Sequence, residues 1–191
     1  MMMTPTEYSR RLHEHVRGFF LGHGTRYQPC DHGPIQQALP GFHAIEVEPG
    51  PLLSLTAYVS VGSGADDTPG HEHLEFVTVA GEPSERHVEL LAMTAYYHYT
   101  GERLGVGHTF PIGEPWVPGS KLDHMLVSLP YPFGPKLEYL STDHAKARIL
   151  WLLPITKAEL EYKKRAGLDA LEERFDSAAL EYWRPDRESV V

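Results

Sequence analysis

Apolar positions along this chain change their period several times, and each change marks an element. The densest run, Ile149-Leu150-Trp151-Leu152-Leu153, shows no alternation and predicts a strand covered on both faces. Pro154 is expected to end it, because proline cannot donate to a ladder. Thr156 and Glu159 follow at capping-box spacing, with Ile155 and Leu160 at the two hydrophobic-staple positions. Gly167 is placed as a left-handed stop, across which Leu168 can contact Tyr162. Past it, Asp169 is placed to cap a last helix whose inner stripe is Leu171, Phe175, Ala178 and Tyr182.

The same reading covers the rest of the chain. Tyr8, Leu12, Val16, Phe19 and Phe20 make a helical stripe behind a Thr6 cap. Leu21–Gly41, rich in Gly, Pro and His, predicts an irregular connection. Strands are expected at Phe42–Glu48 and Leu52–Val61, the second with Leu53, Leu55, Ala57, Val59 and Val61 on one face. Gly62–Gly70 reads as a loop with Asp66 and Asp67 near its tip, and His73–Ala80 as a third strand. Ser84 caps a helix with Val88, Leu91, Ala92, Ala95, Tyr96 and Tyr99 inward, stopped at Gly101. A short Gly-interrupted strand or loop is expected over Leu104–Ile112 and a strand over Leu122–Leu129, after which Leu137–Leu140 returns through a turn at Ser141–His144 into the apolar run. The sum is an α+β fold over 1–191 as one domain. A single central sheet, mostly antiparallel or mixed and of six or seven strands, is covered by N-terminal, middle and C-terminal helices.

Charge changes the picture more than composition does. The chain carries 26 acidic and 17 basic residues, for a net charge of −9. Between Arg26 and Arg86 there is no Lys or Arg, yet that stretch holds Asp31, Glu46, Glu48, Asp66, Asp67, Glu72, Glu75, Glu82 and Glu85. If these gather on one surface, they suit a cationic partner and oppose direct contact with nucleic-acid phosphates. A solvated acidic surface without a partner is the plainer alternative. No apolar run approaches a membrane span. A single cysteine, Cys30, and an N-terminal stretch without signal-peptide character give a cytoplasmic expectation.

Candidate chemistry is sparse. His13-Glu14-His15 lies on the first helix, where residues two apart diverge and cannot share an ion. His71-Glu72-His73 enters a strand, where i and i+2 share a face. Those two histidines could serve a metal-dependent hydrolase or a metal-stabilised domain, but no third ligand is marked and no H-E-x-x-H occurs. Cys30-Asp31-His32 lacks an oxyanion-forming motif. Gly62-Ser63-Gly64 lacks the Lys-Ser/Thr of a phosphate loop, Gly105-Val106-Gly107-His108 lacks the third glycine of a dinucleotide fingerprint, and no G-x-S-x-G elbow is found.

Tyr58–Gly62, Glu75-Phe76, Leu104, Gly107-His108, Trp116, Pro118-Gly119-Ser120, Leu122-Asp123-His124-Met125-Leu126 and Leu150–Thr156 with Glu159 form an ordered set. In order and spacing it resembles the suppressor of fused family over roughly residues 40–175, and Arg187–Val191 resembles the C-termini of bacterial members. The resemblance implies a protein-binding domain without catalytic residues or cofactors. Eukaryotic relatives hold zinc-finger transcription factors with two domains, of which this chain is similar to the first alone. Compact bacterial members resemble immunity proteins that neutralise polymorphic toxins. An acidic immunity protein facing a basic nuclease toxin would use the charged stretch, with Glu46, Glu48, Asp66, Asp67, Glu72 and Glu75 as expected contacts. A homodimerising scaffold is a less specific alternative.

Overall fold

In the computed structural model, residues 5–31, 33–63, 72–141 and 146–191 are described. The elements run α1 (Pro5–Phe19), β1 (Thr25–Pro29), α2 (Ile35–Ala38), β2 (His43–Val47), β3 (Thr56–Val61), β4 (His73–Ala80) and α3 (Glu85–Thr100). They continue with β5 (Thr109–Pro111), β6 (Leu122–Ser128), α4 (Pro135–Glu138), β7 (Tyr139–Ser141), β8 (Lys146–Thr156), α5 (Lys157–Ala166) and α6 (Leu168–Ser177).

All the strands join one open mixed sheet of eight, in the order β1-β2-β3-β4-β8-β6-β5, with β7 pairing a second stretch of β8. Every pairing is antiparallel except β4 with β8. Helices cover both faces, which is why the strands read as near-continuous apolar runs. One face carries Ala44, Tyr58, Phe76, Leu150 and Leu152, packed with α2 and α3 through Ile35, Leu91 and Ala95. The other carries Ile45, Val59, Val77, Ile149 and Leu153, packed with α1, α5 and α6 through Leu12, Leu160 and Leu171.

The expected α+β sheet with N-terminal, middle and C-terminal helices is present, and the differences are local. The Gly-, Pro- and His-rich stretch 21–41 contains β1 and α2, so it adds an edge strand to the sheet. Neither has an apolar alternation: β1 reads TRYQP and gains its place through backbone bonds to β2. Strand β3 begins at Thr56, although Leu53 and Leu55 still pack on the same face as Ala57, Val59 and Val61. Tyr99 is half exposed, and the inner face of α3 instead includes Leu90, Thr94, His87 and His98. The predicted turn at Ser141–His144 falls largely on 142–145, outside the described residues.

At the junction after the apolar run, Pro154 does not end β8, which continues to Thr156 opposite β6. The ladder with β4 stops at Trp151, so by Pro154 one side of the strand has no neighbour that needs its missing N–H. Beyond it the capping box forms in full: Thr156 Oγ1 accepts from Glu159 N at 3.2 Å, and Glu159 Oε2 accepts from Thr156 N at 2.9 Å. Gly167 does break the helix, at φ +95° and ψ 170°, an extended left-handed conformation that favours glycine. It also stands at the N-cap of α6, so Asp169 lies inside the helix and caps nothing with its side chain. Helix α6 ends at Ser177, and Ala178 is exposed.

The terminal segment is docked. Arg187, 6% exposed, donates to both oxygens of the enclosed Glu159 carboxylate, at 2.7 and 2.9 Å, and to the Pro154 carbonyl at 2.9 Å. Val190 N adds a bond to the same carboxylate at 3.2 Å. Removing one partner of such a buried pair leaves the other charge uncompensated. Arg187→Ala is therefore expected to cost about 3–5 kcal/mol in urea unfolding. Arg184→Ala, which breaks only the exposed pairs with Glu181 and Asp186, should leave the urea midpoint nearly unchanged.

Candidate functional site

The acidic stretch folds into strands, and strand geometry disperses it. Cross-strand register places Glu46 opposite Tyr58, and Tyr58 opposite Thr78. Glu72 lies six residues before Thr78, so it stands roughly 20 Å from Glu46 at 3.3 Å per strand residue. Glu46 is on the α3 face and accepts from Gln28 of β1. Glu48, just past β2, pairs with Arg26 of β1, and its carboxylate lies against Gly24, where a Cβ would collide with it. Arg26 bounds the Lys- and Arg-free stretch in sequence, and in the fold it neutralises one of the stretch's own acids.

Glu75 is on the opposite face from Glu46 and is fully buried. Its Oε1 accepts from Tyr8 Oη at 3.0 Å and Gly62 N at 2.8 Å, and its Oε2 from Ser60 Oγ at 2.5 Å and Ser63 N at 3.2 Å. Burial pushes its carboxyl up from the usual range, while these four donors pull the other way. Burial and the facing Glu75 charge drive the Tyr8 phenol well above its ordinary value. Glu75 thus fastens α1 to β4 and secures the Gly62-Ser63 turn. It is an interior group rather than part of an acidic surface.

Glu72 is exposed, and its charge bears on Arg148 near the start of β8 and on Tyr139 of β7. Arg148 Nε donates to the buried Glu138 at 2.7 Å, and its guanidinium lies 5.4 Å from the centre of the Tyr139 ring. Asp66 and Asp67 lie outside the described residues, as does His71 of the possible metal pair. The ring of His73 stands 5.1 Å from that of Tyr8. Among the described residues, no three His, Cys, Asp or Glu side chains are grouped to hold a metal ion, and no helix is long and apolar enough to cross a membrane.

A second polar contact under α1 has no separate signal in the sequence. His13 Nε2 and His43 Nε2 are 2.8 Å apart, while the ring centres are 5.1 Å apart at an interplanar angle of 22°. Those separations put the two nitrogens nearly in line between the rings, the geometry of one N–H···N bond. His43 Nδ1 donates to the Gly41 carbonyl at 2.9 Å, which leaves Nε2 as the acceptor and makes His13 the donor. Tyr27 of β1 stacks on His43 with ring centres 4.4 Å apart. Burial first, then His43 and Arg17, lower the His13 pKa to about 4, and burial lowers that of His43. Helical spacing excluded His13 and His15 from sharing an ion, but only the tertiary fold brings His43 to His13.

The class these features define is a two-faced α+β sheet domain whose buried carboxylates and histidines serve architecture, a fold that fits protein interaction. A suppressor of fused protein (SUFU) family model matches residues 45–188, and the chain belongs to that family. A suppressor of fused homologue from Neisseria gonorrhoeae is 33% identical and superposes with a TM-score of 0.85, over 97% of this chain and 98% of its own. A chain of the Sufu–Fu complex matches at 15% identity and a TM-score of 0.71, over 96% of this chain and 92% of that one. Drosophila Suppressor of Fused matches at 15% identity and 0.56, over 83% of this chain and 49% of its own length, so at this level it shares the fold. No curated protein matches the chain.

The His13–His43 contact carries a sign-definite consequence. A histidine with a depressed folded pKa is protonated first in the unfolded chain, so its contribution is complete above the unfolded value near 6.5 and is lost towards about 4. Unfolding free energy should therefore fall as pH drops through that window. In His13→Phe, chemical denaturation from pH 7 to 4 should show a shallower fall than in the parent.

Proposed function

We propose that this chain is a non-enzymatic protein-binding domain that acts in the cytoplasm as an immunity protein, neutralising a polymorphic toxin domain of cationic character, such as a nuclease. The observation that carries the reading is the family match over residues 45–188, which takes in the sheet from β2 to β8 and the docked tail. A related chain occurs in a complex with Fu, which supports partner binding as the use of this fold. The net charge of −9 supports a basic partner, because opposed charge raises association rates and disfavours wrong partners.

The proposed contacts are Asp66, Asp67 and the exposed Glu72, with the half-buried Glu48 contributing beside β1, whereas Glu46, 7% exposed and bonded to Gln28, is enclosed and supports that edge from inside. Glu75 lies inside and holds the Gly62-Ser63 turn that precedes Asp66 and Asp67 in sequence. Purification from the native host at low salt, followed by mass spectrometry, should recover a basic toxin domain, and co-expression with that domain should restore growth. Recovery of no protein partner across growth conditions would count against the reading. With the partner in hand, D66N/D67N should slow association about tenfold at low ionic strength, and the difference should shrink as salt is raised. Unchanged association at every salt concentration would remove those two residues from the interface.

A further inference from the structure

In a chain with more acids than bases, most arginines hold a carboxylate. Arg26 holds Glu48, Arg148 holds Glu138, and Arg184 holds Glu181 and Asp186. Arg165 and Arg174 form no ion pair with a carboxylate among the described residues, and both border the same groove. That groove, about 590 Å³, lies between α5, α6 and the docked tail. Ala158, Val190, Val191 and the Tyr162 ring give it apolar walls. The one side-chain carboxylate among its lining residues, Glu161, is engaged by Lys164 at 3.0 Å.

The Arg174 guanidinium lies over the Tyr162 ring, 5.7 Å from its centre, with Nε 3.4 Å from the phenol oxygen. A guanidinium stacked in this way loses less freedom when it meets a ligand. Arg174, so held, and Arg165 beside valine and alanine side chains match a ligand that presents a carboxylate next to an apolar group. We propose that this groove docks an extended acidic segment of a partner protein, with an Asp or Glu side chain held by Arg165 and Arg174 and an adjacent apolar side chain seated against Val190 and Val191. Charge complementarity favours this occupant, and the volume accommodates a few residues. The site is opposite in sign to the acidic contacts proposed above and does not depend on them.

The test uses the full chain and a set of synthetic hexapeptides in which Asp or Glu flanks Leu, Ile, Val or Phe, each with its Asn or Gln counterpart. Methyl NMR should show saturable shifts at Ala158, Val190 and Val191 for at least one acidic peptide. Its neutral counterpart should bind about tenfold more weakly, and raised salt should weaken the acidic peptide. R165Q/R174Q should weaken acidic-peptide binding about tenfold or more while leaving the melting temperature unchanged, because both side chains are exposed. D66N/D67N should bind the peptides as the parent does, so failure of the toxin reading and failure of this one remain distinguishable. The proposal is overturned if no peptide gives saturable shifts up to about 5 mM. It is equally overturned if acidic and neutral peptides bind alike, or if R165Q/R174Q binds like the parent. Self-association of the chain that R165Q/R174Q abolishes would also overturn it, by giving the groove to a second copy.

Discussion

Glu159 is enclosed where β8 passes into α5, and a carboxylate in that position has to be matched on every side. Its oxygens accept from the Thr156 amide, from two nitrogens of Arg187 and from the Val190 amide. Desolvating such a charge costs several kcal/mol, which only this dense set of donors can offset. Three segments are therefore coupled: the end of the central strand, the start of α5 and the tail that supplies Arg187. Weakening any one of them strands a charge for the other two. The tail continues the same logic outward, with Thr156 Oγ1 bonded to Ser189 and Lys121 paired to Glu188. The strand so anchored is the one that β4, β6 and β7 all pair with, so the middle of the sheet inherits its register from this junction.

Half of that coupling was legible in the sequence. The capping box is local: Thr156 and Glu159 sit three apart, and the spacing alone dictates the reciprocal bonds. The remaining lone pairs of Glu159 are filled from Arg187, 28 residues away, and no periodicity announces a contact at that separation. The same division explains Pro154. Its missing donor is a local fact, but whether it ends a strand depends on whether a neighbour pairs with it, and that is set by where β4 and β8 part, after Val77 and Trp151. Strand β4 itself was legible to the residue, as a run rich in β-branched and aromatic residues that Gly81 ends. β1 was not, because an edge strand paired through its backbone needs no apolar alternation.

Charge shows the limit of linear reading most clearly. Nine acids in one basic-free stretch look like a patch, but pleating sends Glu46 and Glu75 to opposite faces, and sheet register separates Glu46 from Glu72. Glu75 could not be sorted from a surface acid by sequence, since its four donors come from α1, β3 and the following turn. The fold uses part of the acidic excess to build itself, and what remains for a partner is smaller than the total of −9 suggests.

Helix α1 is the element on which these internal polar contacts converge. Leu12 and Val16 supply its apolar seal, while Tyr8 and His13 reach past it to Glu75 on β4 and His43 on β2. Apolar burial alone would let a helix slide along a flat sheet, because hydrophobic contact is not directional. Two hydrogen bonds to strands separated by β3 remove that freedom and fix the helix in rotation and in translation. The Tyr8 bond also ties α1 to the Gly62-Ser63 turn, through the carboxylate that both share. A shift of α1 would therefore be felt at the Gly62-Ser63 turn, whose position is set by the packing of a helix distant from it in sequence.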